Sequence, residues 1–181
     1  MSPDRLYPEE ASGPFLEPPV EFTDKEGRAI EIRVYEERYG ESLTAMYAEF
    51  DPADRAQGIP PSGESRVESW LDVILGEGYD VVALDDDRVV GHATLVPDGD
   101  EGMELAIFVF QTHQGSGIGS RLIRALLGYG ASQGVEYVWL TVERWNSPAV
   151  ALYESVGFES SSVESFELEM SVRLAQTEST G

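Results

Sequence analysis

Between Phe108 and Ser120 the chain reads Phe-Val-Phe-Gln-Thr-His-Gln-Gly-Ser-Gly-Ile-Gly-Ser, so that a β-rich run ends, a glycine-rich turn follows and an amphipathic run begins. Those residue types in that order can bind an anion. Glycine allows positive φ and close approach of the backbone to a ligand, while the first amides of a helix lack intrahelical partners and carry the positive end of its dipole. A phosphate group suits such a turn, although a tight strand-to-helix connection with no guest would use the same residues. Gly115, Gly117 and Gly119 form G-x-G-x-G, not the G-x-G-x-x-G of dinucleotide sites, and no G-K-[ST] follows as a triphosphate loop requires. Glu143, near the end of the next β-rich run, stands where a ribose-binding acid could sit, which keeps a dinucleotide-dependent oxidoreductase as an alternative. The runs before the turn look like hairpins instead of parallel β-α-β units, which opposes it.

A second segment narrows the reading. Asn146-Ser-Pro-Ala-Val-Ala-Leu-Tyr-Glu-Ser-Val-Gly-Phe158 fits the pattern N-x-x-A-x-x-L-Y-x-x-x-G-F, and Gln114-Gly-Ser-Gly-Ile-Gly119 fits Q/R-x-x-G-x-G/A. With both motifs in this order, separated by a helix and a strand, the chain resembles the GNAT superfamily of N-acetyltransferases. The resemblance spans residues 30 to 173 in element order and is residue by residue from Glu104 to Phe158. It implies an α/β (α+β) GNAT fold: a central mixed, mostly antiparallel sheet, splayed where acetyl-CoA binds and flanked by about four helices. It also implies acetyl-CoA as cosubstrate, no metal, and a primary amine as acceptor, whether a protein N-terminus, a lysine or a small molecule. Main-chain groups of Phe108, Val109 and Phe110 would pair with the pantetheine arm like an added strand. Gln114, Gly115, Ser116, Gly117, Ile118, Gly119 and Ser120 would hold the pyrophosphate, with Asn146 and Tyr153 near the pantetheine and the sulfur.

Acetyl transfer needs a neutral amine, a stabilised oxyanion and a departing thiolate. Tyr153 is the candidate acid, since a phenol with a reference pKa of about 10 can donate to a thiolate of about 8.5. Glu104 is the candidate base, directly or through a water, and a backbone amide near Val109 the oxyanion partner. A strand-end glutamate in a chain with 34 acidic residues is also simply a solvated surface group, so a non-catalytic acyl-CoA-binding regulatory domain on the same fold remains the second reading. His92 and His113, the two histidines, read as structural, and two isolated histidines do not suggest a metal site. Trp70, Trp139 and Trp145 read as core or groove aromatics.

The elements that must position these residues follow from periodicity. Residues 30–35 alternate as a strand; Leu43, Met46, Tyr47 and Phe50 share a helical face, as do Val67, Trp70, Leu71 and Ile74, with a Pro/Gly-rich loop at 51–63 between them. Residues 79–84 and 88–96 predict a hairpin across Asp85-Asp86-Asp87, and 103–110 another strand. A helix carrying Leu122, Ile123, Leu126 and Leu127 as core, a strand at 137–142, a short helix at 148–156 and a final β region complete the order β, α, α, β, β, β, α, β, α, β. Residues 1–28, with five prolines, read as an extended N-terminal arm, 29–174 as the N-acetyltransferase domain, and 175–181 as a flexible tail.

Composition limits the partners. With 34 acidic and 12 basic residues the net charge is −22, and Lys25 is the only lysine. Such a surface repels phosphate backbones and anionic membranes, so nucleic acid and membrane partners are not expected. Acids spread along the whole chain read as adaptation to a salty cytoplasm, in a halophilic microbe. The absence of cysteine excludes disulfides and thiolate chemistry. A cytoplasmic monomer or homodimer is the expectation.

Overall fold

The computed structural model describes residues 5–51, 61, 63–163 and 166–176. Most of the Pro/Gly loop read at 51–63, the first four residues of the arm and the tail from residue 177 lie outside the described residues. In chain order the elements are β1 (Val20–Thr23), β2 (Ala29–Val34), α1 (Gly40–Ala48), α2 (Glu64–Leu75), β3 (Tyr79–Asp85), β4 (Arg88–Pro97), β5 (Gly102–Val109), α3 (Ile118–Ser132), β6 (Tyr137–Glu143), α4 (Ser147–Val156), β7 (Glu159–Val163) and β8 (Glu167–Arg173). The strands form one sheet in the order β1-β2-β3-β4-β5-β6-β8-β7, antiparallel throughout except for β5 beside β6.

Strand alternation sends side chains to two apolar layers. On one face Ile30, Ile32, Ala93, Leu95 and Leu105 pack with Leu122, Ile123, Leu126 and Leu127 of α3 and Val156 of α4. The four α3 side chains are fully buried, and burying each such side chain stabilises the fold by roughly 1.5–3 kcal/mol. On the other face Leu43, Met46 and Tyr47 of α1 and Val67 and Leu71 of α2 cover Val82, Leu84 and Val89. The antiparallel run β3-β4-β5 ahead of the glycine turn is the hairpin series expected from sequence; β5-α3-β6 is a single parallel β-α-β unit, not the successive units of a dinucleotide-binding sheet.

The parallel pair β5/β6 is short. Pairing covers Gly102↔Tyr137, Met103↔Val138 and Glu104↔Trp139, after which β5 continues to Val109 and β6 to Glu143 without meeting. β4 occupies the outer edge of β5 along Met103 to Val109, and β8 the outer edge of β6 along its whole length. A wedge-shaped slot therefore opens in mid-sheet.

The N-terminal segment departs from the expected plain arm. Its last part forms β1, which joins β2 antiparallel through Val20↔Ile32 to Thr23↔Ala29, so the sheet begins before residue 29. Its first part runs against β8 on the α1/α2 side, with Ser171 Oγ donating to the Leu6 carbonyl (2.8 Å) and Arg173 to that of Glu9 (2.9 Å). Backbone bonds from Ser12 N to Arg173 O (2.7 Å) and from Ala175 N to Ser12 O (2.9 Å) then fix it at the end of β8. Next it crosses α3, where Gly128 makes room: a Cβ there would lie 2.5 Å from the Leu16 carbonyl oxygen and 2.8 Å from that of Phe15. In a free helix Gly128→Ala would gain about 1 kcal/mol of propensity. Here it should lower stability by about 1–3 kcal/mol, because the alanine overpacks against backbone. Thermal unfolding, with limited proteolysis of the arm, checks the sign.

Candidate functional site

The slot presents unpaired backbone along β5. Phe110 N donates to Val90 O (2.9 Å), and in an antiparallel pair the residues bonded to one neighbour alternate with residues facing the other. Phe108, opposite His92, and Phe110 thus spend their main-chain groups on β4, and Val109 and Ile107 face the slot. Of the three residues expected to pair with a pantetheine arm, Val109 turns its main chain to the slot, whereas Phe108 and Phe110 turn theirs to β4. The aromatic rings of Phe108 and Phe110 belong to the α1/α2 side, Phe108 lying edge-on to Tyr47 and Trp70 at 5.5 and 5.7 Å.

At the end of β5 the chain makes a turn of 3-10 helix (Gln111–His113) and enters the glycine loop. Gly115 and Gly117 take φ of +71° and +93°, left-handed values that the alternating glycines supply at little cost. Gly117 precedes α3 with no side-chain cap, so the first amides of that helix are left for another acceptor. The turn is braced from beneath. Buried His113 bonds Asp85 Oδ2 through Nε2 (2.8 Å) and Thr112 through Nδ1 (2.7 Å), and Ser116 Oγ donates to His113 O (2.5 Å). Gln114 Nε2 donates to Val109 O (3.0 Å), so Gln114 ties the loop to the slot edge. Gly119 keeps the slot narrow: a Cβ there would stand 3.6–4.0 Å from Leu152, Ile107 and Val109. Ile118 is buried core, while Ser120 accepts from Arg124.

Most of the second motif builds α4. Asn146 Oδ1 accepts from Ala149 N (3.3 Å) as a helix N-cap, which leaves its NH2 group free to donate. Gly157, at φ +122°, ends the helix, with Phe158 N donating to Tyr153 O (3.0 Å) and the Phe158 ring buried. Tyr153 stands against the α3-side core and edge-on to Phe158 (5.9 Å). Burial pushes its phenol up to about 12.

Glu104 sits where β5 and β6 part, opposite Trp139, on the α1/α2 side of the sheet. Its carboxyl is solvent-accessible yet has protein on several sides. Burial raises its pKa, Arg5 opposes the rise, and Asp98 and Glu167 add to it. Nothing in the sequence pointed to Arg5. Its guanidinium lies 3.5 Å over the Trp139 ring, bonds Glu169 Oε1 at 2.9 Å and stands 3.5 Å from Asp98 Oδ2, which also accepts from Trp139 Nε1 (2.8 Å). The two candidate catalytic groups therefore lie on opposite faces of the sheet, joined through the slot.

His92 is buried in a chain of three groups. Nδ1 shares a 2.7 Å hydrogen bond with the Tyr47 hydroxyl and Nε2 one of 2.7 Å with Asp80 Oδ1, which clamps α1 to the sheet. Among the described residues, no group of three or more His, Cys, Asp or Glu could hold a metal ion, and no helix is long and apolar enough to cross a membrane. Trp70 packs in the α1/α2 layer, Trp139 floors the Arg5 cluster, and Trp145 is exposed beside Phe166.

Comparison with known proteins matches this architecture. The profile of the acetyltransferase (GNAT) family fits residues 42–158. A mycothiol acetyltransferase of Kocuria rhizophila is 40% identical over 102 residues, 53% of this chain and 33% of that protein. The [ribosomal protein bS18]-alanine N-acetyltransferase of Salmonella typhimurium is 35% identical over 123 residues, 67% of this chain and 80% of that enzyme. Against the first two curated relatives the chain spans 33% and 57% of their length. A Salmonella typhimurium protein solved with its cofactor acetyl-CoA shares the fold, with a TM-score of 0.64 at 19% identity over 84% of this chain and 98% of that one.

Placing a side chain on Gly117 tests the loop directly. Gly117→Ala forces a left-handed alanine, which costs about 1–2 kcal/mol. Calorimetric titration should show coenzyme A binding weakened about tenfold or more, with a matching small drop in thermal stability.

Proposed function

The chain belongs to the acetyltransferase (GNAT) family, and we propose that it moves the acetyl group of acetyl-CoA to a primary amine by direct attack in a ternary complex. One observation carries this reading: β5 parts from β6 just beyond Glu104, leaving an open backbone edge that leads to the uncapped start of α3. Ile107 and Val109 offer an edge on which an extended pantetheine can hydrogen-bond as a strand would. The amides from Gly115 to Ser120 take the pyrophosphate.

The amine nitrogen attacks the thioester carbonyl from the α1/α2 side. The C–N bond forms, the oxyanion is held by a slot-facing amide such as that of Val109, and the C–S bond breaks as the tetrahedral centre collapses. The proton leaving nitrogen goes to the Glu104 carboxylate, directly or through water, and from there to solvent. Tyr153 donates a hydrogen bond to the departing sulfur. At about 12 its phenol holds its proton against a thiolate of about 8.5, so coenzyme A leaves as a hydrogen-bonded thiolate and collects its proton from solvent.

The acceptor is a protein N-terminus, a lysine or a small amine. Asp98 and Glu167 lie near Glu104 and favour one that arrives as a cation and gives up one proton to solvent before it attacks. The acidic surface supports a salty cytoplasm as the working environment, so assays belong in molar salt, where self-repulsion is screened.

Tyr153→Phe should lower kcat about 10²–10³-fold while acetyl-CoA binds within threefold of wild type, as read by thiol release and calorimetry. Acetyl-CoA binding without thiol release for any amine would instead support an acyl-CoA-binding regulatory domain. Glu104 sets a second expectation. A base whose proton affinity is raised loses activity as pH falls through that raised value, so the acid limb of kcat/KM should lie above the ordinary glutamate value of about 4.3. Glu104→Gln should remove that limb.

A further inference from the structure

The turn between β1 and β2, Asp24 to Arg28, lies outside the residues matched by the family profile, yet it is fastened to the glycine loop at two points. Lys25 N donates to Ser116 O (3.0 Å), and Arg28 NH1 donates to Thr112 O (3.1 Å). The turn itself is rigidly built. Buried Asp24 accepts from the amides of Glu26 (3.0 Å) and Arg28 (2.8 Å) and from Arg28 Nε (2.8 Å), which also offsets its charge. The side chain thus presented to the loop is Lys25, the only lysine of a chain with a net charge of −22.

Its position is specific. Lys25 Cε lies 3.9 Å from where a Cβ on Gly117 would stand, so the ammonium, one bond further out, is within reach of the residue that opens α3. Among the described residues Lys25 has no ion pair, whereas Arg5, Arg28, Arg33, Arg38 and Arg173 each hold a carboxylate. Arg121, in the first turn of α3, is held 5.0 Å over the Phe22 ring of β1, so the same hairpin gathers a second cation at this end of the helix. Glu26 is the acid adjacent to Lys25 in the turn and is exposed.

We propose that Lys25 is a ligand-binding residue, supplied by the added hairpin, that contacts the pyrophosphate of acetyl-CoA alongside the loop amides. The inference rests on the acetyltransferase reading of the slot and deepens it. Backbone amides and a helix dipole supply partial charges only, while two phosphates bring full negative charge to a protein whose remaining surface repels them. A single cation over the cradle meets that need locally. A charge-assisted contact to phosphate at an accessible rim corresponds to about a tenfold gain in affinity.

The test is calorimetric titration of wild type, Lys25→Met, Lys25→Arg and Arg66→Met with coenzyme A and with dephospho-coenzyme A, which lacks the 3′-phosphate and keeps the pyrophosphate. Lys25→Met should bind both ligands about tenfold more weakly, with the gap closing as salt is raised. Lys25→Arg should recover most of the loss. Arg66→Met removes an equal charge from exposed α2 and should bind as wild type does, which separates a local contact from a net-charge effect. Thermal unfolding should be unchanged in Lys25→Met, since that side chain is exposed. Equal binding by Lys25→Met and wild type would overturn the inference while leaving the slot reading intact, and a loss confined to coenzyme A would overturn the pyrophosphate assignment. Wild type that binds neither ligand would defeat the slot reading itself.

Discussion

Two neighbouring parallel strands that separate after three residue pairs leave backbone donors and acceptors with no partner, and backbone groups away from partners must be satisfied by something. That requirement organises the molecule. β4 and β8 hold the outer edges of β5 and β6, so the strands can part without fraying. The α3 and α4 layer closes one side of the slot, with Leu152, Ile107 and Val109 gathered around Gly119. An extended ligand carrying amides of its own is the chemistry that completes such an edge, which is why a pantetheine suits it better than a flat or purely apolar guest.

The slot would also divide the labour of the proposed reaction. Tyr153 belongs to the α3/α4 layer and Glu104 to the opposite face. In the proposed reaction, thioester sulfur and attacking amine would therefore reach the carbonyl carbon from different sides of the sheet, and the groups that handle each would not compete for the same space. Their environments differ in kind. The phenol is enclosed by apolar neighbours and held firmly protonated, whereas the carboxylate sits at an accessible parting of strands among other charges, where Arg5 and the surrounding acids pull it in opposite directions.

Much of this was legible in the sequence because it is local. Gly115 and Gly117 announce positive φ, the run from Leu122 to Leu127 announces a buried helix face, and the Asn146-to-Phe158 pattern encodes a cap, a helix and its terminating glycine in consecutive residues. What stayed hidden depends on contacts across the chain. Val20–Thr23 has only four residues, follows a proline-rich stretch and becomes a strand because β2 offers an edge. Arg5 looks like any arginine in a tail until the arm is laid across β6 and β8 beside Trp139. Main-chain direction is likewise invisible to composition: whether Phe108 or Ile107 faces the slot is decided by pairing with β4.

The parts that identify the family and the parts that set this chain apart are physically separate. Motif residues such as Asn146, Ala149, Gly157 and Phe158 shape one helix, and Ser116 and His113 brace one loop, so their visible work is structural and says little about an acceptor. The segment before residue 29 lies outside the residues that the family profile matches. At one end that segment lays Arg5 near Glu104 on the α1/α2 face, and at the other it brings the one lysine to within reach of Gly117 in the glycine loop. One segment that wraps the domain thus reaches both ends of the slot: its first residues meet the acids beside Glu104, and its last part brings the one lysine to the glycine loop.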